Sequence, residues 1–348
     1  MALSFGLDTF GDVTVDAAGV PTPTSQVIRD VVEEAMLADA VGVDFFGVGE
    51  HHRADFAVSS PEMVLAAAAA RTSRIRLGSA VTVLSSDEPV RVFQRFATLD
   101  AVSNGRAEVI LGRGSFTESF PLFGLPLDRY ETLFEEKLDL FAALIRDEKV
   151  NWQGSVRAPL ADTIVYPRTD MPLTTWVGVG GSPQSIVRAA HYGLPVMLAI
   201  IGGDAARFQP YADLFAQALG EFGKPAAAIG VHSPGHVAAT DAEARERFWP
   251  HYRDMHDRIG AQRGWPAFTR DAFEREIEGG SLYVGSAETV ARKIARTARL
   301  LKPARFQLKY SAGTLPHATM MDAIERYGRD VAPMVRDMLS SDGVAAAA

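Results

Sequence analysis

Short runs that are apolar, or that alternate apolar with polar residues, recur between longer stretches of helical period along most of this chain. The short runs fall at 3–7, 44–48, 75–80, 107–111, 174–179, 195–199, 228–231 and 305–309, lengths that suit buried strands. Helical period marks 25–40, 61–70, 89–102, 128–146, 182–192, 203–220, 241–259, 287–301 and 318–339. Local signals agree with this division: Ser60-Pro61 and Ser182-Pro183 supply an N-cap followed by a first-turn proline, and Gly193 stands where a helix stops.

Strand and helix in strict alternation predict a parallel sheet covered by helices. Eight such units in 348 residues fit a closed (β/α)8 barrel, an α/β TIM barrel with insertions, better than a doubly wound sheet of five or six strands. No Pro-, Gly- or Ser-rich linker divides the chain, so one domain is expected over 1–340, with a flexible tail at 341–348. Two stretches exceed the minimal barrel. Residues 149–173, with Trp152, Gly154 and three prolines, read as an insertion, and 263–280 as an extended loop forming a lid.

Composition narrows the class. A hydrophobic fraction of 47% and a charged fraction of 22% are those of a compact soluble protein. With 35 basic against 43 acidic residues and a net charge of −8, the basic footprint of a nucleic-acid binder is missing, which leaves small molecules as the expected partners. No apolar run is long enough to span a bilayer, and Leu3-Ser4-Phe5-Gly6-Leu7-Asp8 lacks the features of a signal peptide; a cytoplasmic location is expected. The chain has no cysteine, which excludes disulfides, thiolate nucleophiles, thiolate-bound zinc and iron–sulfur clusters.

Three loops at predicted strand ends carry candidate chemistry. Gly49-Glu50-His51-His52-Arg53 follows the second strand, placing a carboxylate and two imidazoles together, groups that exchange protons near neutral pH. Glu50, His51, His52 and Asp55 are also metal-ligand types, but zincin spacing is missing, and His232 and His236 are separated by Pro234-Gly235. Gly112-Arg113-Gly114-Ser115 follows the fourth strand and joins close backbone approach to a guanidinium suited to phosphate or carboxylate. Gly178-Val179-Gly180-Gly181-Ser182-Pro183-Gln184-Ser185 opens the fifth strand into a helix, whose first amides attract an anion; the plain alternative is that Ser182 merely caps that helix. One anionic ligand reaching from strands four and five to the histidines of strand two would join the three loops, and flavin mononucleotide has that reach.

These motifs, together with Leu77-Gly78-Ser79-Ala80-Val81-Thr82-Val83-Leu84, Pro89-Val90-Arg91 and Leu99-Asp100-x-x-Ser103-x-Gly105-Arg106, resemble the bacterial luciferase-like family of flavin-dependent monooxygenases from residue 3 to about 335. The resemblance implies the same barrel fold and an enzyme that uses reduced FMN, supplied by a separate flavin reductase, and O2 to oxygenate a small organic substrate through a peroxyflavin. It places His51 at the catalytic histidine, with Glu50 as its orienter and His52 as a second polar contact. Arg113, Ser182 and Ser185 then hold the phosphate, Gly112, Gly180 and Gly181 complete the cofactor-binding set, and Ala80 and Val81 form a cis peptide beneath the flavin ring. The chain departs from the luciferase alpha subunit at Gly112, where that protein has cysteine, and at Gly181, where it has glutamate, so light emission and an aldehyde substrate do not carry over. Two readings stand beside this one: a deazaflavin-dependent hydride-transfer oxidoreductase, whose relatives often carry an Asp-His pair at strand two, and a non-catalytic flavin-binding protein. The resemblance also implies a homodimer packed through helices near the alanines Ala66 to Ala70. No metal and no membrane partner are expected.

Overall fold

The computed structural model describes residues 3–16 and 18–345. Eight strands, β1 (Ser4–Thr9), β2 (Phe45–Val48), β3 (Arg76–Ser79), β4 (Ala107–Gly112), β5 (Thr174–Val179), β6 (Val196–Ala199), β7 (Ile229–Ala238) and β8 (Arg305–Lys309), form the barrel. Each pairs in parallel with the next, and β8 pairs with β1, Ser4 opposite Arg305 through Asp8 opposite Lys309, so the sheet closes. All eight expected strands are present.

Alternation along each strand divides two interiors. On β8, Phe306 and Leu308 face outward into the main core, where they meet the helices, while Arg305, Gln307 and Lys309 face the lumen. The helices bury matching stripes. In Ala287–Leu301 the buried positions Val290, Ala291, Ile294, Ala295, Ala298 and Leu301 recur at helical spacing, and the Ser286 hydroxyl caps its first turn. Gly193 ends Pro183–Tyr192 at φ 68°, the left-handed conformation expected of a stop glycine.

An ionic layer centred on Glu108 closes the lower end of the lumen, with both carboxylate oxygens met and Arg305 Nε left without a partner among the described residues. Glu108 accepts from Arg305 Nη1 (2.8 Å) and Nη2 (2.9 Å), from Trp176 Nε1 (3.0 Å) and from Arg76 Nε, and Arg305 lies 4.2 Å over the Phe45 ring. Burial alone would raise the Glu108 carboxyl, but the two guanidiniums hold it below the usual carboxylate range. Phe45, Ile110, Trp176 and Met197 form a small apolar layer above it.

The structure extends the sequence reading in four places. The strand expected at 228–231 runs on to Ala238, and a further strand, Tyr283–Ser286, pairs with its upper half. Pro234-Gly235 reads as a turn, yet a Cβ at Gly235 would lie 2.3 Å from the Tyr283 carbonyl, so glycine here serves close strand approach. Residues 149–173 contain an antiparallel pair, Lys149–Trp152 with Leu160–Ile164. The stretch 263–280, expected as an extended loop, instead contains a helix, Arg270–Glu278, capped by Thr269. At the C-terminus, His317–Arg326 passes through a π-helical turn at Tyr327–Val331, where Gly328 fits against Val41, into Ala332–Ala345. Part of the expected flexible tail is therefore helical, and 346–348 lie outside the described residues. Among the described residues no helix is long and apolar enough to cross a membrane.

Candidate active site

The upper, C-terminal end of the lumen opens into a cavity of about 780 Å³. Its depth comes from small lumen-facing residues: Gly178 and Gly180 on the β5 side, Ala80 beyond β3 and Ala199 on β6. A Cβ built on Gly180 would meet nothing within 4 Å, so the missing side chain leaves open space. The roof is the C-terminal part of helix Asp241–Arg263, which contributes Tyr252, Met255, His256 and Ile259, followed by Trp265.

His51 projects into this space from the loop after β2. Its ring stacks on Phe56 at 4.3 Å and meets Phe10 at 4.7 Å and Phe116 at 5.1 Å. Desolvation among these rings pushes the imidazole down to about 3, against the opposing pull of Asp12. His51 is therefore neutral across the physiological range, and its ring nitrogens have no hydrogen-bond partner among the described residues.

Glu50 does not orient His51, as the sequence suggested. Its Oε1 accepts from His52 Nε2 (2.9 Å), its Oε2 accepts from the Val83 N–H (2.8 Å), and its own N–H donates to the Val81 carbonyl (3.2 Å). The carboxylate is buried beside backbone donors that His51 does not reach, so its work is to clamp the segment Val81–Val83 and to fix His52. The Ala80–Val81 peptide in that segment is cis, and both residues line the cavity.

Lys309, the last residue of β8, faces the histidine cage. It is ion-paired with buried Asp12 (3.1 Å) and lies 4.4 Å over the Phe10 ring. Burial would raise the Asp12 carboxyl, but Lys309 together with bonds from Ser311 and Gly313 lowers it.

The phosphate candidates gather less tightly. Gly180 and Gly181 line the cavity, whereas Gly112, Arg113, Ser182 and Ser185 do not. Gly112 lies behind Val81, where a Cβ would sit 2.6 Å from Val81 Cγ2. Arg113 pairs with Glu131 and lies 5.7 Å over Tyr130. Ser182 begins helix Pro183–Tyr192 without a side-chain cap, its hydroxyl turned to Gln184 Oε1 (2.9 Å), and Ser185 is buried one turn on.

A latch joins the walls to the roof. Arg53 donates to Asp55 Oδ1 (3.0 Å), Gln262 Oε1 (2.8 Å) and Glu118, while Arg263 donates to the Ser115 carbonyl (2.9 Å) and covers Phe116 at 4.6 Å. Sequence reasoning missed this latch, and it also missed Asp8, His232 and Gln307 on the wall formed by β1, β7 and β8. Alternation along 305–309 was the available signal, since it turns Gln307 to the same side as Arg305 and Lys309.

A closed parallel barrel with a carboxylate, two imidazoles and an uncapped helix start at its C-terminal end has the layout of an α/β-barrel enzyme. The chain belongs to the luciferase-like monooxygenase family, whose profile matches residues 9–302. Among its relatives are the 4-hydroxyprotoasukamycin monooxygenase of Streptomyces nodosus subsp. asukaensis, 34% identical over 49% of this chain and 47% of that one, and an F420-dependent glucose-6-phosphate dehydrogenase of Amycolatopsis mediterranei, 29% identical over 44% and 48%. The fold matches the monooxygenase RslO1 of Streptomyces bottropensis with a TM-score of 0.82 at 24% identity, covering 95% and 99% of the two chains. It also matches the oxygenating constituent of 3,6-diketocamphane monooxygenase from the CAM plasmid of Pseudomonas putida, in complex with FMN, with a TM-score of 0.75 at 18% identity, covering 96% and 99%.

Proposed function

We propose that this protein is a flavin-dependent monooxygenase that holds reduced FMN in the upper cavity and oxygenates a small organic substrate with O2. The observation that carries this reading is one cavity with a neutral, ring-caged His51 on one wall and, at Gly180-Gly181-Ser182, an open glycine space leading to an uncapped helix start. The donor chemistry there fits a phosphate: helix amides, the Ser182 and Ser185 hydroxyls, and Arg113 once it exchanges its partially exposed Glu131 partner. When bound, reduced FMN supplies the electrons and the carbon–nitrogen framework on which dioxygen is activated.

The chain's own residues bind, orient and protect. Ser182, Ser185 and Arg113 hold the phosphate, and Ala80 and Val81, with Gly112 behind them, form the wall for the ring. Glu50 keeps that wall and His52 in place. His51 offers an uncharged ring whose nitrogens accept or donate a hydrogen bond at the reacting edge, without placing a charge among Phe10, Phe56 and Phe116. The Arg53 and Arg263 contacts keep the roof closed and water out.

Anaerobic titration with reduced FMN and with a reduced deazaflavin coenzyme, followed by oxygen uptake with a flavin reductase present, tests the reading. Tighter binding of FMN with reductase-dependent oxygen uptake is expected; preference for the deazaflavin without uptake overturns it. The deazaflavin reading keeps a place because F420-dependent enzymes stand among the relatives, and Glu50-His51-His52 in place of an Asp-His pair weighs against it. Binding without turnover would mark a flavin carrier. A single barrel domain through residue 340, a homodimer packed through helix Pro61–Ala69, whose Met63 is exposed, and a cytoplasmic location complete the proposal.

A further inference from the structure

The wall opposite the proposed flavin site holds polar groups left without a partner among the described residues. Gln307 forms part of the cavity floor, is fully buried, and neither its side-chain nitrogen nor its oxygen has a hydrogen-bond partner among the described residues. Burying a carboxamide with both ends unmet is unfavourable, and an apolar residue of the same shape would remove the cost. The barrel nevertheless makes room for it: Gly6, its register partner on β1, would place a Cβ 2.7 Å from Gln307 Cγ.

Its register partner on β7 is His232, which also lines the cavity. His232 Nδ1 donates to Asp8 Oδ1 (3.0 Å), fixing the ring, while buried Asp8 Oδ2 has no partner. Asp8, His232 and Gln307 thus form a polar strip on β1, β7 and β8. The phosphate candidates stand across the lumen on β4 and β5, with Ala80 and Val81 just beyond β3. Between strip and roof the cavity presents aromatic rings, among them Phe10, Tyr252 and Trp265.

We propose that Gln307, supported by His232, is a specificity-determining residue. It hydrogen-bonds an adjacent C=O and N–H, as in a carboxamide or lactam, on an uncharged substrate whose remaining body is apolar and ring-bearing. The proposal rests on the flavin reading in one respect, that the cofactor occupies the β3–β5 wall. The pyrimidine edge of a flavin carries the same pair of groups, so the test separates the two sources.

The full-length chain is titrated with 2-naphthamide and with its apolar isostere 2-isopropylnaphthalene, following tryptophan fluorescence, and separately with FMN; Gln307→Met is compared with wild type. The expected result is that the affinity ratio of amide to isostere falls by roughly tenfold in the variant, the size of one net hydrogen-bonded pair. FMN affinity and melting temperature should hold or rise. An unchanged ratio overturns the proposal, and so does loss of FMN affinity, which would give the amide to the flavin edge. A marked fall in melting temperature, seen also in Gln307→Leu, overturns it too, because it would make Gln307 a structural group. Failure of wild type to bind FMN would sink the flavin reading alone, since the probe ratio is read without cofactor.

Discussion

At the lower end of the lumen Glu108 is surrounded by four donors, from Arg305, Trp176 and Arg76, whereas at the upper end Gln307 and Asp8 Oδ2 are left without partners among the described residues. Both ends are built from the same strands and the same alternation, and Arg305 and Gln307 are only two residues apart on β8. The difference teaches how to separate structural polar groups from functional ones in a barrel of this kind. A buried carboxylate whose oxygens are all met within the barrel belongs to folding; a buried polar group that faces a cavity unmet is a candidate for ligand contact.

The largest effect should come from breaking the Glu108 end. Glu108→Ala leaves Arg305 buried without its carboxylate and should cost about 3–5 kcal/mol in denaturant unfolding, with FMN affinity per folded molecule unchanged. A loss under about 1 kcal/mol would show that the layer is not the structural end at all.

At the open end the order reverses. His51→Ala should keep the fold and FMN binding yet lower coupled turnover by about a hundredfold or more, with hydrogen peroxide released in place of product. Full coupled activity in that variant would remove His51 from the chemistry.

The same histidine sharpens the comparison through pH. Its folded value of about 3 lies below its ordinary 6.5, so the unfolded chain takes up a proton that the folded chain refuses between those limits. The contribution of His51 to stability therefore falls as pH drops from 6.5 toward 3 and is level above that range. His51→Gln lacks this dependence, so between pH 7.5 and pH 5 it should lose about 1–2 kcal/mol less than wild type in urea unfolding. Parallel losses would mean that the imidazole is not held neutral.

The smallest effect concerns the cavity mouth. Glu131→Gln frees Arg113 from a partially exposed ion pair worth about 0–1 kcal/mol, and should tighten FMN severalfold while leaving riboflavin, which has no phosphate, unchanged. Equal changes for both ligands would take the phosphate role away from Arg113.

Much of this architecture was legible from sequence because the barrel repeats one local rule. Apolar runs such as Val43 to Val48 and Ala107 to Leu111 carry their own strand signal, and Pro183 and Gly193 mark helix ends by chemistry that acts within a few residues. The Glu50-His51-His52 cluster was visible for the same reason. Which histidine Glu50 serves was not, because the answer depends on Val81 and Val83, some thirty residues on, which supply the backbone groups that fix the carboxylate. The β7 extension was hidden by Pro234-Gly235, whose turn chemistry is overruled by close packing against Tyr283. Gln307 and His232 looked like ordinary polar residues because their significance lies in what they lack, and a missing partner can be seen only when every neighbour is in place.

The open space at Gly180 has a consequence of a different kind. Because the cavity is set by absent side chains and not by displaced strands, its contents are decoupled from the pairing that closes the barrel. A single methyl group at such a position would reshape the chamber without disturbing register, cap or core. Descendants of this chain could thus explore new guests through small steps, each leaving the frame intact.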